Sequence, residues 1–110
     1  MATMTQLRAS NTIQALIIAA MMAEYKNART RCLNECVEKS LNGATMEELG
    51  PFIDGEQLKA KAKMLEGLKE SVQIITANLA EAKTFEVRDE EFITNTEYAL
   101  EKAATLHQII

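Results

Sequence analysis

Residues 58–82 read LKAKAKMLEGLKESVQIITANLAEA, and this stretch decides the fold. Its large apolar residues recur in heptads, the spacing of helices that pack along a shared seam. One row contains Leu58, Leu65, Val72 and Leu79, and the other contains Leu68, Ile75 and Ala82. Lys61 is the one polar residue in the second row, and Gly67 falls outside both rows. The pattern predicts a long helix, helix 2, that packs against one or two partner helices at about +20°.

The start of helix 2 is predicted from the residues just before the heptads. Asp54 fits an N-cap, and Gln57 follows three positions later, where it completes a capping box. Ile53 and Leu58 occupy the two positions of a hydrophobic staple. These signals predict that helix 2 spans about residues 55–84.

A break is predicted after helix 2, where the heptad count places charge in both rows, at Glu86 and Asp89. Asp89 fits an N-cap, which predicts a separate helix 3 over about residues 89–109. The alternative is one continuous helix from 55 to 110, because apolar residues return in the same phase from Ile93 onward.

Helix 1 is predicted over about residues 10–42. Ser10 or Asn11 can cap its start. Asn42 and Gly43 tolerate the left-handed conformation that ends many helices, so the helix is expected to stop there.

The linker between helices 1 and 2 carries its own signals. Thr45 and Glu48 fit a capping box that opens a short helical turn over residues 46–49. Gly50 and Pro51 follow, and they are expected to end this turn.

The fold class that follows is all-α. We expect an elongated helical hairpin plus a third helix, a three-helix bundle with coiled-coil-like packing that oligomerisation completes. A length of 110 residues fits a single helical domain over residues 1–110. One Pro and four Gly are too few for a turn-rich sheet protein.

Charge argues against nucleic acid as a partner. Twelve basic and sixteen acidic residues give a net charge of −4, which repels the phosphate backbone. Lys59, Lys61 and Lys63 advance by two positions, so on a helix they spread around the axis and form no basic stripe.

The composition also argues against catalysis. The single imidazole is His107, three residues from the end of the sequence, where a catalytic base would be poorly positioned. Neither GxxxxGK[ST] nor GxGxxG occurs, so no phosphate-binding loop is predicted. We therefore expect no enzyme, no catalytic residue, no cofactor and no cofactor-binding residue.

Cys32 and Cys36 stand four positions apart in helix 1, on one face. An intrahelical disulfide has poor geometry at this spacing. The pair supplies two ligands where zinc takes four, so no metal site is predicted. We expect two small buried apolar side chains.

Residues 13–23 read IQALIIAAMMA, which we call the apolar belt. Its eleven residues are too few for a membrane span of about 20. It resembles the apolar part of a secretion signal, but Met21 stands where the cleavage site needs a small residue. A cytoplasmic protein with no membrane partner is therefore expected.

The belt is apolar on every side of the helix, whereas each helix of an isolated three-helix bundle keeps one face in water. Something must cover the belt. One alternative is the chain's own third helix, and the other is a partner. The residues predicted to bind a partner are Ile18, Met21, Met22, Leu65, Leu68, Val72 and Ile75.

Two functions fit these residues. The first is a non-enzymatic helical interaction protein that self-associates through apolar helix faces, most simply as a homodimer. The second is a small acidic chaperone, adaptor or inhibitor that binds an amphipathic helix of a larger partner protein.

Overall fold

The computed structural model describes residues 2–110, which form three helices and no strand. Helix α1 spans Met4–Leu41, α2 spans Met46–Ala82 and α3 spans Glu90–Ile109. Within the described range, no helix is both long and apolar enough to cross a membrane. The molecule is elongated, with extents of 67 × 20 × 19 Å. The predicted all-α class, a helical hairpin plus a third helix, is confirmed.

Helix α1 begins at Met4, earlier than predicted. The Thr3 side chain accepts a hydrogen bond from the backbone N–H of Gln6 at 3.2 Å. The Gln6 side chain accepts one from the backbone N–H of Thr3 at 2.9 Å, which completes a capping box. Ser10 and Asn11 therefore lie inside the helix, and the prediction that one of them caps it was wrong.

The chain reverses direction between α1 and α2 as predicted. Helix α1 ends at Leu41, and Gly43 adopts a φ of 94°, in the left-handed region that favours glycine. Thr45 then caps α2: its side chain accepts a hydrogen bond from the backbone N–H of Glu48 at 3.3 Å. The Glu48 side chain accepts one from the backbone N–H of Thr45 at 3.4 Å, which confirms the predicted capping box.

Gly50 and Pro51 do not end this helix, so the prediction of a short turn at 46–49 was wrong. Pro51 cannot donate a hydrogen bond to the Glu47 carbonyl, but both residues are exposed, so water can satisfy that carbonyl. Gly50 has no Cβ to clash with the proline ring. Asp54, the predicted N-cap of helix 2, is an exposed residue within α2, and no capping box or staple begins there.

Helix α3 is a separate helix, as predicted, and Asp89 is its N-cap. The Asp89 side chain accepts a hydrogen bond from the backbone N–H of Phe92 at 3.1 Å. The same carboxylate forms an ion pair with Arg8, which ties the start of α3 to α1. Residues 83–89 are not helical, so one continuous helix from 55 to 110 is excluded.

Two apolar clusters stabilise the bundle, one near each end. The cluster at the three-helix end contains Leu7, Ala82, Phe92 and Ile93. The cluster at the turn of the hairpin contains Cys32, Cys36 and Leu49. Helix α3 lies along α2 from the first cluster to about Leu65, which lines a groove together with His107 near the end of α3. The turn end of the hairpin is built from α1 and α2.

The two predicted rows of α2 differ in burial. Leu68, Ile75 and Ala82 are buried, Leu65, Val72 and Leu79 are half-buried, and Leu58 is exposed. Helix α2 contacts α1 on one side and α3 on another, so its buried stripe is broader than one seam and includes Met64 and Ser71.

A polar layer crosses all three helices. The Asn78 amide donates hydrogen bonds to the side-chain oxygens of Ser10 at 2.9 Å and Asn11 at 2.8 Å. The Asn11 amide donates to the hydroxyl of Thr96 in α3 at 3.0 Å. Because these partners satisfy one another only in this alignment, the layer fixes the register of the bundle.

Gly67 faces α1, although the sequence pattern places it off the packing surface. The Met21 side chain of α1 lies against it, and its sulfur atom is so close that it would overlap a Cβ added at residue 67. The missing side chain lets the two helices approach closely at this point.

Candidate interaction surface

Helix α1 has a long apolar surface that no other part of residues 2–110 covers. Between Arg8 and Glu24 it has no charged side chain. Within this stretch Ile13 is 54% exposed, Leu16 66% and Ile17 41%. Helix α3 packs on α2 and leaves these side chains in water, so the third helix does not cover the apolar belt.

The exposed residues of α1 form a heptad pattern of their own, which we call the outer seam. Its members are Ala9, Ile13, Leu16, Ala20, Ala23, Asn27, Thr30, Asn34, Val37 and Leu41, and all of them are exposed. The buried residues of α1 lie on the opposite side, at Leu7, Gln14, Cys32 and Cys36. No member is charged, so the outer seam is one uncharged stripe about 48 Å long at 1.5 Å per residue.

Sequence reasoning identified only the part of this surface within the apolar belt. The second part contains Val37, which is 54% exposed, and ends at Leu41, which is 83% exposed. The signal was present in the sequence, because a heptad count continued from Ile13 reaches Leu41 without meeting a charged residue.

The three predicted partner-binding residues of α1 do not share one surface. Ile18 is half-buried. Met21 packs against Gly67 inside the hairpin. Met22 is exposed, but it lies to the side of the outer seam.

The four predicted partner-binding residues of α2 are largely covered by the chain itself. Leu68 and Ile75 are buried in the bundle, where a partner cannot reach them in this arrangement. Leu65 and Val72 are half-buried and line a groove between α2 and α3.

This α2–α3 groove has a volume of about 630 Å³. Its lining is mainly aliphatic and includes Leu100, Ala103 and Ala104 of α3. His107 lies at its edge and is exposed. The groove therefore has the chemistry to accept apolar side chains.

A second groove, of about 430 Å³, lies between α1 and α2. Its floor includes Cys32 and Met64, and its rim has charged residues of both signs. Glu24 and Arg31 form an ion pair there at 2.8 Å. The hydrogen bond and the positive charge of Arg31 hold the pKa of the Glu24 carboxyl below its ordinary value.

Cys32 and Cys36 are buried free thiols that pack against Leu49, with Phe52 and Ile53 beside them. Burial, with a smaller contribution from the neighbouring Cys36 thiol, raises the pKa of Cys32. A raised pKa keeps the thiol protonated and unreactive. Among residues 2–110, no group of three or more His, Cys, Asp or Glu residues is placed to hold a metal ion.

Comparison of the chain with protein-family models, curated proteins and solved structures gave no match. The function is therefore inferred from the residues and their geometry alone.

Proposed function

We propose that this protein is a non-enzymatic helical interaction protein that self-associates through the exposed apolar surface of α1. The observation that carries the proposal is the exposure of Ile13, Leu16 and Ile17 on a helix face without charge. Burying one large aliphatic side chain is worth about 1.5–3 kcal/mol. Several such side chains in water represent a large free energy beside a total domain stability of about 5–15 kcal/mol.

A second copy of the chain is the simplest partner for this surface. Each copy presents the same uncharged stripe, and two-fold homodimers are the commonest oligomers. The heptads of α2 were expected to contribute as well, but Leu68 and Ile75 already pack inside the chain. The interface is therefore assigned to α1 alone.

A cytoplasmic location fits this proposal. The protein has two cysteines, and both are free thiols inside the bundle. Free thiols are typical of reducing compartments.

The groove between α2 and α3 supports a second candidate function, a chaperone-like adaptor that binds an amphipathic helix of another protein. Its aliphatic lining would receive the apolar face of that helix. In this case the purified protein would remain a monomer until the partner helix is added.

The test compares Leu16→Asp with Leu58→Asp. These leucines are 66% and 68% exposed, but Leu16 belongs to the outer seam whereas Leu58 stands on α2. We expect the wild type and Leu58→Asp to be dimers in sedimentation equilibrium at micromolar concentration. Leu16→Asp should be a monomer, because an unpaired carboxylate in a desolvated interface costs several kcal/mol.

Circular dichroism supplies the control for folding, since both variants should keep the helicity of the wild type. A monomeric wild type with cooperative unfolding would defeat the proposal. Equal weakening of the dimer by the two substitutions would show that α1 is not the interface.

A further inference from the structure

Few charged residues flank the outer seam, and their placement restricts how two copies can pair. Glu24, Arg31 and Glu38 lie along one side of the seam at heptad spacing, and Lys26 lies on the other side. Flanking charges of this kind set the orientation and register of paired helices.

A parallel pair in register is unfavourable. In that arrangement each flank of one copy lies beside the opposite flank of the other copy. A residue on the Lys26 flank is then next to the residue five positions later in the second copy. Lys26 of each copy would then lie beside Arg31 of the other, which gives two contacts between like charges.

In an antiparallel pair, the same flank of each copy faces its counterpart, and three registers pair eight or more of the ten seam positions. The register that places Leu16 opposite Asn27 sets aliphatic side chains against polar ones, and it gives neither Glu24 nor Arg31 a charged partner. The register that places Ile13 opposite Val37 brings Glu24 beside Glu24 and Lys26 beside Lys26. These contacts are again repulsive.

The third register places Leu16 opposite Leu41, and it brings Glu24 of each copy beside Arg31 of the other. Glu24 and Arg31 already form an ion pair within one chain, so their charged groups lie at the same level of the helix surface. In this register each Glu24 would have two basic neighbours, Arg31 of its own chain and Arg31 of the other copy. The four side chains would form one cluster of alternating negative and positive charges.

Resting on the self-association proposed above, we infer that two copies pair antiparallel along their outer seams, with Leu16 opposite Leu41 and Ala20 opposite Val37. In two of the four layers a small residue faces a larger one, since Ala20 meets Val37 and Ala23 meets Asn34. Asn27 meets Thr30 beside the two-fold axis, where a polar layer helps to specify one alignment.

The size of this contact is close to the lower limit for a specific dimer. Eight seam positions and eight flanking positions lie between Leu16 and Leu41, and Ala9 and Ile13 lie outside this segment. Standard interfaces bury about 800 Å² per partner over about 20–30 residues, or roughly 27–40 Å² per residue. The pair would therefore bury about 850–1,300 Å² in total, near the roughly 1,000 Å² expected of a biological interface.

Thiol crosslinking with a short bismaleimide tests the alignment. Ala20→Cys alone and Val37→Cys alone should give no covalent dimer, whereas an equal mixture of the two should give one. Cys32 and Cys36 are buried, so the wild type is the uncrosslinked control. A covalent dimer from Ala20→Cys alone would overturn the assigned alignment, because both a parallel pair and the antiparallel register with Ala20 opposite Ala23 bring the two copies of this residue together. Crosslinking of Ala20→Cys with Thr30→Cys in preference to Val37→Cys would overturn the register.

A charge exchange provides the second measurement. Glu24→Arg and Arg31→Glu should each form a weaker homodimer than the wild type, because each places like charges together. An equal mixture should form the heterodimer in excess of both homodimers. A statistical mixture of dimers would contradict the assigned contact between Glu24 and Arg31.

The two proposals fail in different ways. If the wild type is a monomer in sedimentation equilibrium, self-association itself is wrong. If the wild type dimerises and Leu16→Asp dissociates it, but the crosslinks follow another pattern, only the antiparallel alignment is wrong.

Discussion

Replacing Gly67 by alanine tests the closest contact of the hairpin. A Cβ at this position would overlap the sulfur of Met21 and stand 3.3 Å from its terminal methyl group. The Met21 side chain would have to leave its present place between the helices. Met21 is half-buried there, so its displacement disturbs the packing of α1 on α2.

Two opposing effects set the magnitude of this change. Alanine in a helix interior is favoured over glycine by about 1 kcal/mol. Overpacking a filled site costs about 1–3 kcal/mol. Gly67→Ala should therefore lower the free energy of unfolding by about 0–2 kcal/mol in the wild type. In a Met21→Ala background the long side chain that would clash is absent, so Gly67→Ala should raise the free energy of unfolding by about 1 kcal/mol.

Urea unfolding followed by far-UV circular dichroism measures the four proteins of this double-mutant cycle. All samples need one protein concentration, because self-association makes the apparent stability depend on concentration. Gly55→Ala is the matched control, since an added Cβ there meets nothing within 4 Å, and it should stabilise both backgrounds equally. If Gly67→Ala stabilises the wild type as much as Gly55→Ala does, the contact with Met21 is not as described.

Two further predictions concern titratable groups. The backbone hydrogen bond from Phe92, followed by the Arg8 side chain, holds the pKa of Asp89 below its ordinary value. This stabilisation is present above the unfolded-state pKa of about 3.9 and is lost as pH falls through the lower folded-state pKa. Asp89→Asn should therefore lose less stability than the wild type when urea midpoints are measured from pH 4 downward, and equal losses would contradict this. Because Cys32 and Cys36 are buried, a maleimide reagent should label both rapidly only after denaturation, and rapid labelling of the native protein would contradict their placement.

Local signals predicted the helix ends that depend on a few neighbouring residues. Thr45 with Glu48, Gly43 after Leu41, and Asp89 each form the cap or turn that their side chains favour. Such ends are readable because the groups that satisfy the free backbone N–H and C=O are within four residues of them.

The ends that were mispredicted depend on contacts from distant parts of the chain. Thr3 and Gln6 match a capping box, but the turn that they open is held in place by Leu7, which is buried against Phe92 of α3. Helix α2 likewise continues past Pro51 while its first turn packs through Leu49 on the cysteine cluster. Neither contact is visible in the local sequence.

The candidate surface was predicted in part for a similar reason. A belt that is apolar on every side indicates that burial of both faces of α1 is favourable, but it does not show which residues face inward. The rotation of α1 about its axis is set by residues outside the belt, by Leu7 at one end and by Cys32 and Cys36 at the other. In this orientation Met21 faces inward and Leu16 faces outward.

Over residues 11–17, the two sides of α1 have the reverse of the usual composition. The inner side contains Asn11 in the polar layer and the buried side chain of Gln14, whereas the exposed side contains Ile13, Leu16 and Ile17. A helix with one buried face normally places its aliphatic residues inside and its amides in water. The inversion is explained if the outer face is also an interior surface in the assembled protein. The inner polar contacts then fix the register of each hairpin, and the outer aliphatic residues supply the free energy that joins two hairpins.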